Sequence, residues 1–162
     1  MLVIKVWLHF CKHIKAVFLK LVYRNRFQIG KNVTWRKRFD VMIDKNGRIE
    51  IGDDCFFNND CSLNSNGNIH IGNGSLFGEN VKIYDHNHRF KDKNIMIKNQ
   101  GFSVGDVYIG NHCWIGSNVI ILKGAHIGDN CVIGASTVIS SRVPDGVVVK
   151  QKNELMFEKI HV

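Results

Sequence analysis

The sequence predicts an all-β chain wound into a triangular prism of short parallel strands, a parallel β-helix. Three features predict it: a six-residue period in the second half, the same register upstream, and a small residue at one fixed place in each period. Residues 109–144 divide into consecutive hexads that all open with Ile: Ile109, Ile115, Ile121, Ile127, Ile133 and Ile139. The fifth residue is small or β-branched each time: Cys113, Val119, Ala125, Cys131, Thr137 and Val143. Two inward positions in every six fit neither the helical period nor simple alternation. A bulky first residue fills one side of the prism, and the fifth must be small to fit near a corner. Three hexads make one coil of 18 residues, the spacing from Ile109 to Ile127.

The upstream register justifies the earlier coils. Ile51, Cys55, Phe57, Cys61 and Leu63 form one, and Ile71, Phe77, Val81 and Ile83 begin the next. Ile29-Gly-Lys-Asn-Val-Thr reads as a degraded first hexad. Ile51 and Ile71 are 20 residues apart, so two extra residues bulge near Ser65-Asn-Gly-Asn68. Ile71 and Ile109 are 38 apart. The register breaks after Ile83, so this gap is read as one coil plus a protruding loop, about residues 86–107. Gly and Asn near the corners tolerate unusual backbone angles. Four of the five cysteines take the small inward position and read as buried packing residues. With no CxxC pair and an odd count, neither a zinc ribbon nor a disulfide framework is expected.

Stacked strands need their ends covered. Residues 1–26 are expected to form a basic amphipathic helix, 27–150 the β-helix, and 151–162 a tail. In the helix, Lys5, His9, Lys12, Lys15 and Lys20 are spaced among Leu, Val, Ile, Trp and Phe. Three uses stay open for residues 1–23: a cap on the prism, a partner contact, or peripheral contact with a membrane. At the other end, Val147–Val149 reads as a last strand and Leu155-Met-Phe as a short plug.

The net charge is +8, but residues 1–48 hold twelve Lys or Arg against two Asp. The body is thus close to neutral, which argues against nucleic acid as a partner. No apolar run reaches the roughly 18 residues of a spanning helix. The N-terminus lacks the features of a secretory signal, so a cytoplasmic location, with membrane association open, is expected.

The hexads, the looped-out Asp85-His-Asn-His-Arg-Phe90 and Trp114-Ile-Gly-Ser117 together resemble the hexapeptide-repeat acyltransferases. Within them the chain is similar to the maltose/galactoside and xenobiotic acetyltransferase branch, which includes polysaccharide O-acetyltransferases, over residues 49–146. The resemblance implies a left-handed coil and a homotrimer with active sites between neighbouring prisms. It also implies acetyl-CoA as donor and direct transfer to an acceptor hydroxyl. Counting from Val81-Lys-Ile83, and from the Asn-His-Arg context, the family's catalytic histidine matches His88. Asn58 matches an asparagine near the reacting groups. Trp114 and Ser117 match cleft-lining positions, and Gly116, Gly134 and Ala135 the wall along the pantetheine arm. Asp145-Gly-Val-Val-Val-Lys replaces the usual Gly-Val-Pro-Ala-like turn. Arg142 and Lys150 then stand as candidates for the CoA phosphates. The maltose-type N-terminal region is absent, so a different sugar is expected as acceptor, within capsule or O-antigen synthesis.

The chemistry fits these residue types. A hydroxyl attacking a thioester needs a base, and an imidazole with an unperturbed pKa near 6.5 is suited to it, contributing roughly 10²–10⁴-fold. His86, two residues from His88 and on the same side of an extended strand, is the rival base. Asp85 is a candidate to orient an imidazole, with the geometry left open by the sequence. Backbone N–H groups or Asn58 are candidates to stabilise the oxyanion. His70, His112 and His126 form no well-spaced ligand set, and no metal is expected. Two other readings stay open: an antibiotic or other xenobiotic as acceptor, and a non-catalytic solenoid that binds sugar or a partner enzyme.

Overall fold

The computed structural model describes residues 14–152, and these form a left-handed parallel β-helix with a helix at its N-terminal end. Each coil passes through three faces in turn. Face one stacks Phe27–Ile29, Arg48–Ile51, Asn68–Ile71, Val107–Ile109, His126–Ile127 and Arg142–Val143. Face two stacks Thr34–Trp35, Phe56–Phe57, Leu76–Phe77, Trp114–Ile115, Val132–Ile133 and Val148–Val149. Face three stacks Asp40–Ile43, Ser62–Ser65, Lys82–Tyr84, Ile120–Ile121 and Val138–Ile139. All these pairings are parallel, and residues six apart within a coil point inward on successive faces. Ile51, Ile71, Ile109 and Ile127 lie in register on face one. Ile83, Ile121 and Ile139 do so on face three. Those isoleucines are buried, and the N-terminal coils fill the wider space with stacked rings: Trp35 on Phe39 at 5.2 Å, Phe39 on Phe57 at 4.8 Å, Phe57 on Phe77 at 4.4 Å.

The stacked hexads explain two recurrent residues. A Cβ on Gly72 would lie 2.7 Å from the backbone of Gly110, and one on Gly116 2.6 Å from Ala135 N. Gly at the second position therefore lets adjacent coils touch. The left-handed backbone angle sits two residues on, carried by Asp54, His112, Asn118, Asn130 and Ser136. The buried cysteines each donate a weak S–H bond to a carbonyl of the next coil: Cys55 to Gly72 (3.1 Å), Cys61 to Gly78 (3.2 Å), Cys113 to Gly128 (3.1 Å), Cys131 to Pro144 (3.1 Å). Burial pushes the thiols of Cys55, Cys61 and Cys113 up. Thr137 occupies the same position, but its buried hydroxyl finds no partner among the described residues.

Two expectations need revision. The first coil is complete, with Trp35, Phe39 and Val41 in the inward places that its hexad spelling obscures. Val143 is not the fifth residue of a sixth hexad. It pairs with Ile127, because the corner after Ile139 is two residues short, and so it opens the last coil. The protruding segment begins as an extended strand, as expected for His86–His88, and it pairs antiparallel with Phe102–Val104. One coil plus an insertion does account for the gap between Ile71 and Ile109.

Residues 14–23 are helical and continue into a 3₁₀ turn at Arg24–Arg26. Leu19 is buried there, with Ala16 and Tyr23 packed on the same core. Lys15 Nζ donates to the Phe39 carbonyl, and Arg26 donates to the Asp44 carbonyl at 2.6 Å. This part of the helix covers the open end of the prism. Residues 1–13 of the expected helix, and the plug expected at Leu155-Met-Phe, lie outside the described residues.

Candidate active site

The corner from face three to face one is where the coil departs most from the hexad. In the third coil it begins with Asp85, whose side chain is fully buried. Its carboxylate accepts from Ser65 Oγ (2.7 Å), Gly67 N (2.8 Å) and Asn66 N (2.8 Å). A fourth bond comes from His86 Nδ1 at 2.8 Å. These donors satisfy a charge that would otherwise be costly to bury. A Cβ on Gly67 would meet a Val104 methyl at 2.4 Å, so the glycine leaves room for that side chain. The Asp85 carbonyl accepts from Gly105 N (2.8 Å), and Asp106 Oδ1 accepts from both nitrogens of Asn68 (3.1 and 3.0 Å). The next coil closes the corner through Gly124 N to the Gly105 carbonyl (2.9 Å) and Lys123 Nζ to Ser103 Oγ (2.8 Å). Both ends of the insertion are thus pinned to the prism.

His86 and His88 leave this anchor on one side of the strand. Both rings meet Phe102, His86 edge-on at 5.0 Å and His88 tilted at 4.6 Å. Their environments differ. The His86 side chain is one-fifth exposed, with Nδ1 committed to Asp85. His88 is exposed, and its ring nitrogens have no hydrogen-bond partner among the described residues. It lines an open hollow of about 720 Å³ with Arg89, Phe90, Gln100, Ser103 and Lys123. Gln100 braces the loop over this hollow, donating to the carbonyls of Asp92 (2.8 Å) and Ile95 (2.7 Å).

The other predicted residues lie elsewhere. Asn58, Gly116, Ser117, Gly134, Ala135 and Lys150 follow the strands of face two, so they form a column along the corner between faces two and three. Trp114 stands on the outer side of face two, 55% exposed, in a ridge with Leu76 and Val148. Arg142 is on face one, outside this column, and pairs with His126. Within one chain the whole width of face three separates the histidines from the column. Gly116 is buried beneath the next coil, where its lack of a side chain serves stacking. Ser117 Oγ accepts from Glu79 N (3.2 Å), and Asn58 Oδ1 accepts from Asn59 N (2.9 Å). Ala135 and Lys150 of this column are exposed, as is Trp114 beside it on face two. Among the described residues no group of three or more His, Cys, Asp or Glu is arranged to hold a metal.

Sequence reasoning did not single out Ser65, Asn66, Gly67, Phe102, Ser103, Gln100 or Lys123. One signal was present: the two-residue bulge at Ser65–Asn68 sits one coil below the insertion, as a socket for Asp85.

Comparison with known proteins converges on this architecture. The model of the bacterial transferase hexapeptide (six repeats) matches residues 106–141. The galactoside O-acetyltransferase of Lactococcus lactis is 33% identical over 101 residues, covering 62% of this chain and 47% of that protein. An Escherichia coli (strain K12) protein named for O-acetyl transfer in lipopolysaccharide biosynthesis is 28% identical over 149 residues, covering 86% and 76%. The structure of a galactoside acetyltransferase in complex with coenzyme A superposes with a TM-score of 0.64 at 29% identity, covering 80% of this chain and 63% of that one. The chain spans about one-third to one-half of the length of several curated relatives that it matches.

Proposed function

From its place in the hexapeptide-repeat acetyltransferase family, to which the chain belongs, we propose that it transfers the acetyl group of acetyl-CoA to a sugar hydroxyl, with a surface polysaccharide or its precursor as acceptor. The observation that carries this reading is the corner geometry. A buried, four-bonded Asp85 anchors a hairpin that holds an exposed imidazole at the mouth of an open hollow.

In this reading the acceptor sugar occupies the hollow beside Lys123 and Ser103, and acetyl-CoA supplies an activated thioester carbonyl. His88 takes the hydroxyl proton as the acceptor oxygen closes on that carbon, then returns it to the departing sulfur. The Phe102 ring and the hairpin register restrict where the imidazole can point. Asp85 and His86 keep the strand in place. One observation favours His86 as the base instead: its Nδ1 is already held by a carboxylate, the arrangement that fixes a tautomer and leaves Nε2 to accept.

The donor groove is proposed to come from a second copy. His88 and the face-two column lie at different corners, so a complete site forms when the histidine corner of one prism meets the column of the next. A homotrimer provides three such junctions. The ridge of Leu76, Trp114 and Val148 and the loop residues Phe90, Met96 and Ile97 are large exposed apolar groups suited to such contacts.

Calorimetric titration with acetyl-CoA, run beside light scattering, tests the reading. Saturable binding near one site per chain in an oligomer supports it. No binding at millimolar donor leaves a non-catalytic sugar- or partner-binding solenoid. With binding established, acceptor profiling separates sugars from antibiotics.

A further inference from the structure

Over its described residues the N-terminal helix is apolar on two sides, and one of them packs on the prism. Leu19, Ala16 and Tyr23 pack against the prism. Ile14, Val17, Phe18, Leu21 and Val22 do not: they are 54%, 56%, 61%, 71% and 50% exposed. At roughly 100° per residue these five fall within an arc of about 140°, facing away from the packed side. A solvated helix normally turns charged residues to this side. Here the charges are at the margins. Lys20 borders one edge, Lys15 the other, and Arg24 and Arg26 follow at the C-terminal end. The first coil continues the trend. Residues 14–48 carry ten Lys or Arg against two Asp, and Lys31, Arg36, Lys37 and Arg38 are exposed at its corners.

We propose that this face docks on an anionic lipid bilayer, with the helix lying in the interface plane and the prism standing away from it. The occupant is argued from charge. An apolar stripe rimmed by cations, on the strongly positive end of an otherwise near-neutral chain, complements acyl chains beneath anionic headgroups. No helix among the described residues is long and apolar enough to cross a membrane, so the geometry is that of surface attachment. The inference does not depend on the acyl-transfer reading.

Flotation of the full chain with vesicles tests it, comparing phosphatidylcholine alone with phosphatidylcholine containing about one-third phosphatidylglycerol. The protein is expected to float with the anionic vesicles only, and less so as salt rises. Lys20→Gln should weaken partitioning about fivefold. The double variant Phe18→Ser/Leu21→Ser should weaken it more than tenfold, with its far-UV circular dichroism, oligomer mass and acetyl-CoA titration unchanged. Phe18→Trp gives a readout that removes nothing: extra blue-shifted emission on adding anionic vesicles, and none with phosphatidylcholine alone. The proposal is overturned if the full chain stays soluble with anionic vesicles, or if the double variant floats as well as wild type. It is also overturned if the double variant loses oligomer mass, which would make the face a contact between copies of this chain.

Discussion

The coils of residues 109–139 and those of residues 27–85 are built on one plan but differ at a single corner. In the first region Ile109, Ile115, Ile121, Ile127, Ile133 and Ile139 follow one another without an extra residue. In the second, the corner from face three to face one is lengthened in every coil, and in the third it holds the whole insertion. Stacking forbids extra residues where the coil must match both neighbours in register. A corner can bulge outward without breaking a strand pair, provided the bulge satisfies its own backbone groups. The socket of Ser65, Asn66 and Gly67 around Asp85 does that. The regular region is thus the scaffold, and the irregular corner is where a reactive group can be held on it.

Substitutions can break or sharpen this contrast. The largest effect is expected at the corner: His88→Ala should lower acetyl transfer by about 10²–10⁴-fold while leaving the melting temperature within a degree or so. An equal loss from His86→Ala with His88→Ala still active would move the base to His86. Next, Asp85→Asn sets an amide NH₂ against one of the two backbone donors, Asn66 N or Gly67 N, whichever way the amide is turned. It should cost about 3 kcal/mol in denaturant unfolding and also lower activity. If stability is unaffected, the socket does not hold the insertion. In the scaffold, Gly72→Ala should cost about 2 kcal/mol with little effect on activity per folded molecule, because its Cβ meets backbone of the next coil. Thr137→Val removes a buried hydroxyl that lacks a partner and should raise stability by about 1 kcal/mol. The smallest effect is chemical. Cys55, Cys61 and Cys113, buried with raised thiol pKa values, should react with a disulfide reagent only after denaturation.

The fold was legible wherever one coil repeats the next. The hexads located Ile109 through Ile139 and the inward cysteines, and the break after Ile83 located the insertion. The misreading of Val143 shows the limit. A hexad template assigns it by count, yet a corner two residues short moves it to the next face, and only strand pairing with Ile127 reveals the shift. Trp35 and Phe39 escaped for a different reason: the spacing there is regular, but the first coil spells its inward residues with aromatics, Phe39 at the place where a small residue is expected.

The site was legible in its parts but not in its arrangement. His86, His88 and Asp85 stand together in the chain, so their proximity was visible. That Asp85 is buried and four-bonded was not, because three of its donors come from residues 65–67, one coil away. Nor could sequence show that Asn58, Ser117 and Ala135 occupy a different corner from His88. Sequence alone determined the period, the inward residues and the place of the insertion, since each is a local consequence of fitting side chains into a narrow prism. The tertiary structure decided which corner each polar residue occupies, what holds the histidine strand and which helix face stays open. Those depend on contacts between coils, set by how many residues each corner spends before the next strand begins.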